Sequence, residues 1–178
     1  GSIGKAYGYQ MGIKHQYAEG MFDQVDRVLY DLKQNPYSRR IMTNIYNFDD
    51  LHSMNLYPCA YSMTFNVTGK KLNAILNQRS QDTLTANNWN VVQYSALLMM
   101  FAQVSGLEAG ELIHVISDMH IYDRHISMVK ELLQRETKKA PKVTLNPEIT
   151  NFYDFKVEDF NVENYEYGKS VGKIPVAI

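Results

Sequence analysis

The chain has 178 residues, of which 45% are hydrophobic and 21% charged, and this length suits a single domain with one hydrophobic core. Its 18 Lys and Arg residues nearly balance 19 Asp and Glu residues. That balance argues against binding to nucleic acid, RNA included, or to a membrane surface through bulk positive charge, and no apolar run approaches the ~18 residues that span a bilayer.

The first predicted helix runs from about Asp23 to Gln34. Asp23 can cap its N-terminus, and the Asn35-Pro36 pair that follows ends it. A strand is predicted next, over residues 40–46. The helix has one apolar stripe that is expected to face the core, and this stripe consists of Val25, Val28, Leu29 and Leu32.

A β-hairpin is the most informative local pattern. Apolar side chains alternate with small or polar ones from Cys59 to Val67, as in a strand with one buried face. Residues 68–71 have the composition of a turn, and a second strand runs from Leu72 to Ser80. Together these segments predict two antiparallel strands with the cysteine at their open end.

The register of this hairpin places the cysteine beside an arginine. If Val67 faces Leu72, then Cys59 faces Ser80, and cross-strand neighbours lie ~5 Å apart. A register error of one residue would still leave Arg79 within reach of the thiol. The thiol is therefore expected to lie beside Gln78, Arg79 and Ser80.

The rest of the chain mixes helices and strands. Asn90 is predicted to cap a helix that runs to about Ser105 and is apolar nearly all round, which is typical of a helix buried on most sides. An amphipathic helix is predicted from Tyr122 to Arg135. Because helices and strands do not alternate regularly, the predicted fold class is α+β. The remaining strands are predicted over residues 112–118, 143–145, 155–157 and 160–162.

Cys59 is the only cysteine, which excludes an intrachain disulfide framework and favours a reducing compartment, so a cytoplasmic location is expected. A lone cysteine is commonly a small buried hydrophobic residue, and that interpretation stays open at this point. A neighbouring Arg79 would stabilise the thiolate, which is the nucleophilic form. The pattern therefore also fits a nucleophilic cysteine.

Other polar residues admit two interpretations each. The Arg39-Arg40 pair fits either a solvated turn or an anion site, since guanidinium groups match phosphate oxygens. His120 and Tyr122 lie on one side of an extended segment, either as ligand contacts or as ordinary structural side chains. Asp82 fits a surface or capping carboxylate. The chain has no His-Glu-x-x-His motif and no Cys/His cluster, so no metal site is predicted.

Taken together, these segments resemble the thymidylate synthase family, and the resemblance extends from about Ile3 to the last residue. Each motif alone is weak, and their order along the chain makes the resemblance specific. The strongest motifs are Asn35-Pro36-Tyr37-Ser38-Arg39-Arg40, Leu56-Tyr57-Pro58-Cys59, Gln78-Arg79-Ser80-Gln81-Asp82, Gly110-Glu111, Ser117-Asp118-Met119-His120-Ile121-Tyr122, Asn146-Pro147, Asp159-Phe160 and Pro175-Val176-Ala177-Ile178.

The resemblance implies the thymidylate synthase fold, a mixed β-sheet packed with helices whose free face forms a homodimer. It implies reductive methylation of dUMP to dTMP, a step of nucleotide biosynthesis, with 5,10-methylenetetrahydrofolate as the donor of one carbon and a hydride. Cys59 would attack C6 of the uracil and form a covalent adduct. Arg39 and Arg40 would reach the nucleotide phosphate in the partner subunit.

Further contacts are implied residue by residue. Arg79 and Ser80 would bind the phosphate, and Asn90 would bind the uracil edge. His120 and Tyr122 would hold the sugar 3′-hydroxyl. The implied substrate-binding residues are Arg39, Arg40, Gln78, Arg79, Ser80, Asn90, His120 and Tyr122. The implied folate-binding residues are Asp82, Ala86 and Ala177, of which the last lies in a C-terminal segment that would close over the site.

Asn90 favours uracil over cytosine, because an amide can pair with uracil N3–H and O4, whereas relatives that act on cytidylate usually carry a carboxylate there. Two departures from the family pattern lie near the site. Ala60 stands where a His usually follows the nucleophile. The loop from Thr85 to Trp89 replaces the usual Leu-Gly-x-Pro-Phe, with Ala86 in place of the Gly.

Residues 1–178 would form one thymidylate synthase domain that is incomplete at its N-terminus, because the family's domain continues upstream of Tyr7. Two alternatives stay open. One is a pyrimidine nucleotide C5-hydroxymethylase on the same fold, in which water takes the methylene group; the altered loop around Ala86 favours it. The other is an inactive, nucleotide-binding dimeric fragment, which the absence of the upstream part favours.

Overall fold

A four-stranded sheet and the helices packed on one of its faces organise the chain. The structure is a computed structural model that describes residues 2–175. In this part of the chain the mixture of helices and strands confirms the predicted α+β class. The helices are α1 (Gly8–Gly12), α2 (Gln24–Gln34), α3 (Asn87–Val104) and α4 (Ile126–Leu133). The strands are β1 (His15–Tyr17), β2 (Gly20–Phe22), β3 (Met42–Asn44), β4 (Ala60–Thr68), β5 (Lys71–Gln78), β6 (Gln81–Asp82), β7 (Glu108–Ile116), β8 (Met119–His120), β9 (Lys142–Leu145) and β10 (Phe160–Glu163).

The main sheet has the strand order β3-β4-β5-β7. β4 is antiparallel to β3 and to β5, whereas β5 and β7 are parallel and are connected through α3. The C-terminal ends of β5 and β7 and the N-terminal end of β4 therefore share one edge of the sheet. Cys59 immediately precedes β4, and Arg79 immediately follows β5, so both residues lie at this edge.

A β-bulge changes the register of the β4–β5 hairpin close to the cysteine. The predicted pairing of Val67 with Leu72 is confirmed, but the register shifts by one residue within the first three residues of β4. The Arg79 N–H donates to the Cys59 carbonyl at 2.9 Å as a result. The prediction that the cysteine faces Ser80 is wrong by one residue, because a simple alternation of side chains does not reveal a single extra residue.

The core lies between the inner face of the main sheet and the helices α2 and α3. Asp23 caps α2 by accepting the N–H of Asp26, so the predicted start of this helix is confirmed. Burial of large apolar side chains supplies most of the stabilisation of such a core. The most completely buried apolar side chains include Val28, Ile41, Met63, Leu72, Leu76 and Phe101.

The central helix α3 differs from its prediction in two respects. It begins at Asn87 with Ala86 as the N-cap residue, and the Asn90 N–H already donates to the Ala86 carbonyl at 3.0 Å. Asn90 is therefore not the cap but lies in the first turn. The first turns are also less buried than predicted, because the side chains of Trp89 and Val92 are 78% and 68% exposed. Within residues 2–175, no helix is long and apolar enough to cross a membrane.

Several other predicted boundaries change. The strand predicted over residues 40–46 contracts to β3, and the helix predicted to start at Tyr122 divides into a 3-10 turn (Asp123–His125) and α4. Residues 155–157 do not form a strand. Asp159 accepts the Lys156 N–H at 2.8 Å there, and such local side-chain bonds to the backbone compete with strand pairing.

Candidate active site

Cys59 lies at the sheet edge, half-buried, beside a guanidinium group that the backbone holds in place. The Nη2 atom of Arg79 lies 4.0 Å from the Cys59 Sγ atom. Arg79 also donates from Nε to the Pro58 carbonyl and from Nη2 to the Tyr57 carbonyl, each at 3.0 Å. The predicted proximity of the two residues is thus present in the structure.

Tyr7 is a site residue that the sequence did not indicate. Its phenol oxygen accepts the backbone N–H of Cys59 at 3.0 Å, across 52 positions of the chain. Burial raises the pKa of the Tyr7 phenol, which keeps it protonated. The backbone φ of Tyr7 is +39°, a conformation that residues with a side chain rarely adopt, and such strain is often retained at functional sites. No spacing pattern links a tyrosine to a cysteine so distant in sequence.

The buried side chain of Gln78 connects Ser80, which is predicted to bind the phosphate, with Asn90, which is predicted to bind the uracil edge. Gln78 is 1% exposed, and its Nε2 donates to the Ser80 carbonyl at 2.8 Å and to the Asn90 Oδ1 atom at 3.3 Å. Its Oε1 accepts a hydrogen bond from His114 Nε2 at 2.8 Å. Burial lowers the pKa of the His114 imidazole and so favours the neutral ring. The side chains of Gln78, Asn90 and His114 and the Ser80 carbonyl therefore form one connected polar group.

The short parallel pair β6–β8 brings His120 beside the segment that follows β5. Asp82 pairs with His120, and Thr83 donates to the His120 carbonyl from its N–H and its hydroxyl, at 3.0 and 2.8 Å. The His120 Nδ1 atom lies 2.9 Å from Asp118, and its ring packs edge-on against Tyr122 with 5.1 Å between the centroids. The predicted pair His120 and Tyr122 is therefore together, and both side chains are partly exposed.

Asp82 organises the loop that leads into α3. Its Oδ1 accepts the N–H groups of Leu84 and Thr85, at 3.1 and 3.2 Å, and its Oδ2 accepts the Thr85 hydroxyl. Burial alone would raise the pKa of the Asp82 carboxyl, but these hydrogen bonds outweigh burial and hold the pKa below its usual value. Ala86, the residue in place of the usual Gly, donates its N–H to the Asp82 carbonyl at 3.1 Å.

A buried histidine joins Asp82 to the end of the described chain. His125 is fully buried, and its Nε2 atom bonds to the Pro175 carbonyl at 2.8 Å. Its Nδ1 atom lies 4.0 Å from Asp82 Oδ1 and has no hydrogen-bond partner within residues 2–175. Ala177, which the resemblance implies as a folate contact, lies outside the described residues.

The structure does not bring Arg39 and Arg40 to this site within one chain. Both are exposed in the turn after α2, and Arg39 lines a concavity on the open face of the main sheet. That face carries exposed apolar side chains, namely Met42, Ile75, Ile113 and Val115. Arg39 therefore borders a partly apolar surface that no part of the described chain covers, whereas the cysteine lies at the sheet edge.

The substituted position Ala60 is fully buried at the start of β4, so it presents no polar group to the site. The described residues contain no group of three or more His, Cys, Asp or Glu side chains with the spacing of a metal site. The polar groups described at this edge are a thiol, an arginine, amides and histidines.

The family model described as thymidylate synthase matches residues 1–178. A thymidylate synthase from Bacillus licheniformis is 47% identical over 169 residues, which cover 94% of this chain and 61% of the relative. Thymidylate synthase 1 from Bacillus amyloliquefaciens is 44% identical over 178 residues, which cover 99% of this chain and 77% of the relative.

The fold agrees with that of a solved structure. Thermostable thymidylate synthase A from Bacillus subtilis superposes with a TM-score of 0.91 at 42% identity, over 100% of this chain and 63% of that protein. The chain thus spans about three-fifths of the length of this protein and of the Bacillus licheniformis relative.

Proposed function

This chain belongs to the thymidylate synthase family, and on that premise we propose that its protein converts dUMP to dTMP. The donor of the one-carbon unit and of the hydride would be 5,10-methylenetetrahydrofolate. The observation that carries the proposal is the half-buried Cys59 thiol, 4.0 Å from a guanidinium that two backbone carbonyls fix. A single reduced thiol with this role suits the cytoplasm.

Cys59 would act as the nucleophile. Its thiolate forms a bond to C6 of the uracil, and the electron pair of the C5–C6 double bond moves to C5 and the O4 carbonyl, which makes C5 nucleophilic. At the end of the reaction the same sulfur–carbon bond breaks and the thiolate returns. Arg79 stabilises the thiolate before attack and after release, and Tyr7 holds the cysteine backbone at 3.0 Å.

The uracil edge would be read by Asn90. Its amide donates to O4, where negative charge develops after the sulfur attacks, and its oxygen accepts the N3–H of the base. Asn90 lies in the first turn of α3 at the same sheet edge as the cysteine, and it contacts the buried Gln78. This arrangement supports uracil as the base.

The phosphate and the sugar would be held by residues on both sides of the cysteine. Arg79 and Ser80 follow β5 and would bind the phosphate, while His120 and Tyr122 follow β7 and would hold the 3′-hydroxyl. Arg39 would reach the phosphate of a partner subunit, together with Arg40. The apolar, open face of the sheet beside Arg39 supports a homodimer formed through this face.

Asp82, Ala86 and Ala177 would hold the folate. The donor set fits such a ligand, because the lowered pKa of the Asp82 carboxyl keeps it ionised and a pterin presents N–H groups to an acceptor. The Nδ1 atom of His125, which has no hydrogen-bond partner within residues 2–175, adds a second polar atom 4.0 Å from Asp82. Closure of the C-terminal residues over the ligand would exclude water before hydride transfer.

One observation favours a second candidate, a C5-hydroxymethylase. The side chain of Trp89, at the end of the substituted loop, is 78% exposed. A loop that leaves the site open would admit water to the methylene group. Mass analysis of the product base distinguishes the two candidates, since one adds a methyl group and the other a hydroxymethyl group.

The decisive assay uses the full-length protein with dUMP labelled by tritium at C5 and with 5,10-methylenetetrahydrofolate. Tritium release with stoichiometric dTMP is expected. A folded protein that releases no tritium in the presence of the folate contradicts the proposal. The same assay on residues 1–178 alone tests the alternative that this chain binds nucleotide without turnover.

A further inference from the structure

A relay of hydrogen bonds gives the side-chain amides of Gln78 and Asn90 one orientation each. The Ser80 carbonyl only accepts hydrogen bonds, so the Gln78 amide nitrogen must face it, at 2.8 Å. The second hydrogen of that nitrogen points to Asn90 Oδ1 at 3.3 Å. The Gln78 oxygen is left facing His114 Nε2 at 2.8 Å, and this nitrogen must therefore carry a hydrogen.

The same relay decides which edge Asn90 presents to a base. With its oxygen held by Gln78, Asn90 offers the second lone pair of that oxygen to an N–H donor and its own N–H groups to an acceptor. Uracil has this pattern at N3–H and O4. Cytosine has the reverse pattern and needs Asn90 rotated by half a turn, which would bring the Asn90 N–H groups against those of Gln78.

Gln78 does not rotate to relieve that conflict, because its oxygen would then face the Ser80 carbonyl and its nitrogen the His114 N–H. At 1% exposure, water does not replace the lost partners. We propose that His114 is a positioning residue for base selection: by donating to Gln78 it acts together with the Ser80 carbonyl to hold the Asn90 amide in the orientation that accepts uracil and disfavours cytosine. This inference rests on the proposed function.

The test compares two substitutions of His114 in the full-length protein. His114→Phe keeps a flat ring but removes the donor, whereas His114→Gln places an amide N–H where Nε2 lies. The dissociation constants for dUMP and dCMP are measured by calorimetry for each variant. The expected result is that His114→Phe lowers the preference for dUMP over dCMP by about fivefold or more, and that His114→Gln restores it.

Equal weakening of both nucleotides in His114→Phe, or an unchanged preference, overturns the relay while leaving the proposed function intact. A wild-type protein that does not prefer dUMP overturns both. A second measurement does not require the Phe variant to fold. Nitrogen-15 NMR of the wild-type histidine rings, with the His114 signal identified by its loss in His114→Gln, is expected to show the hydrogen on Nε2. A hydrogen on Nδ1 alone overturns the relay.

Discussion

The guanidinium of Arg79 lies 4.0 Å from the Cys59 sulfur, and it cannot swing away without giving up two hydrogen bonds to the carbonyls of Tyr57 and Pro58. Those two carbonyls belong to the residues immediately before the cysteine. The arginine is therefore tied to the same stretch of backbone that carries the thiol. Movements of this backbone therefore shift the guanidinium and the thiol together.

Arg79→Gln is expected to slow the alkylation of Cys59 by iodoacetamide. The guanidinium, 4.0 Å from the sulfur, attracts the negative charge on the sulfur as it attacks, so an effect of about fivefold or more is expected at low salt, with a smaller effect at high salt. The rate is measured in the absence of nucleotide. Arg135→Gln is the matched control, because Arg135 contacts Glu131 and Lys169, outside the site. Equal slowing in both variants would contradict a local role for Arg79.

Cys59→Ser is expected to lower turnover by about 10⁴-fold or more, because the proposed nucleophile is lost. Binding of dUMP should be largely preserved, since the phosphate and base contacts belong to other residues. Tritium release measures the first effect and calorimetry the second. A variant that retains most of its turnover would show that another group attacks C6.

Mixed dimers test the sharing of arginines between subunits. Each site would combine the Cys59 of one chain with the Arg39 of the other, so a heterodimer of Cys59→Ser and Arg39→Ala chains has one intact site. Random mixing should restore about one quarter of wild-type activity from two inactive or weak parents. Activity no higher than the mean of the two parents would place Arg39 outside the partner's site.

Gly110→Ala is expected to lower the free energy of unfolding by about 1–3 kcal/mol. A Cβ atom at this position would lie 2.9 Å from the Leu72 carbonyl oxygen and would overlap the Asn73 side chain, which accepts the N–H of Glu111. Urea unfolding gives the difference. Gly12→Ala is the matched control, because its added Cβ meets nothing within 4 Å. Similar losses in both variants would point to a general effect of alanine.

The free energy of unfolding is expected to fall at alkaline pH because of the buried Tyr94 side chain. Burial, with a smaller contribution from Tyr7, raises the pKa of Tyr94 to about 12. The unfolded chain releases this proton near pH 10, whereas the folded chain retains it until about pH 12, so stability falls as pH rises through this window. Tyr94→Phe should remove about 2 kcal/mol of that fall between pH 9 and 12. Urea unfolding at both pH values tests the difference; parallel pH profiles would contradict it.

The sequence predicts those parts of the structure whose causes are local. The helix α2 follows from Asp23 and the Asn35-Pro36 stop, and the hairpin turn follows from residues 68–71. The approach of Arg79 to the thiol is also local, because a hairpin joins residues 20 positions apart.

Contacts between elements that are distant along the chain could not be predicted from the sequence. Tyr7 reaches Cys59 across 52 positions, and His114 reaches Gln78 across 36. Neither tyrosine nor histidine stands in a repeating pattern that would indicate its partner. The sequence also did not indicate where α3 begins, since Asp82, rather than Asn90, organises the loop before it. Packing between elements determines these positions, and the spacing of residues along the chain carries no information about that packing.

The extra residue in β4 is Tyr61, which stands between the pairs Ala60–Gln78 and Ser62–Asn77. In a regular ladder Ala60 would stand across from Arg79, and the thiol would lie one strand step, about 3.3 Å, further along. Tyr61 thus works as a spacer that replaces an alanine–arginine pairing with a cysteine–arginine pairing. Tyr61 also lines a cavity together with Arg79, so one inserted residue both brings the cysteine opposite the arginine and forms part of the cavity wall beside it.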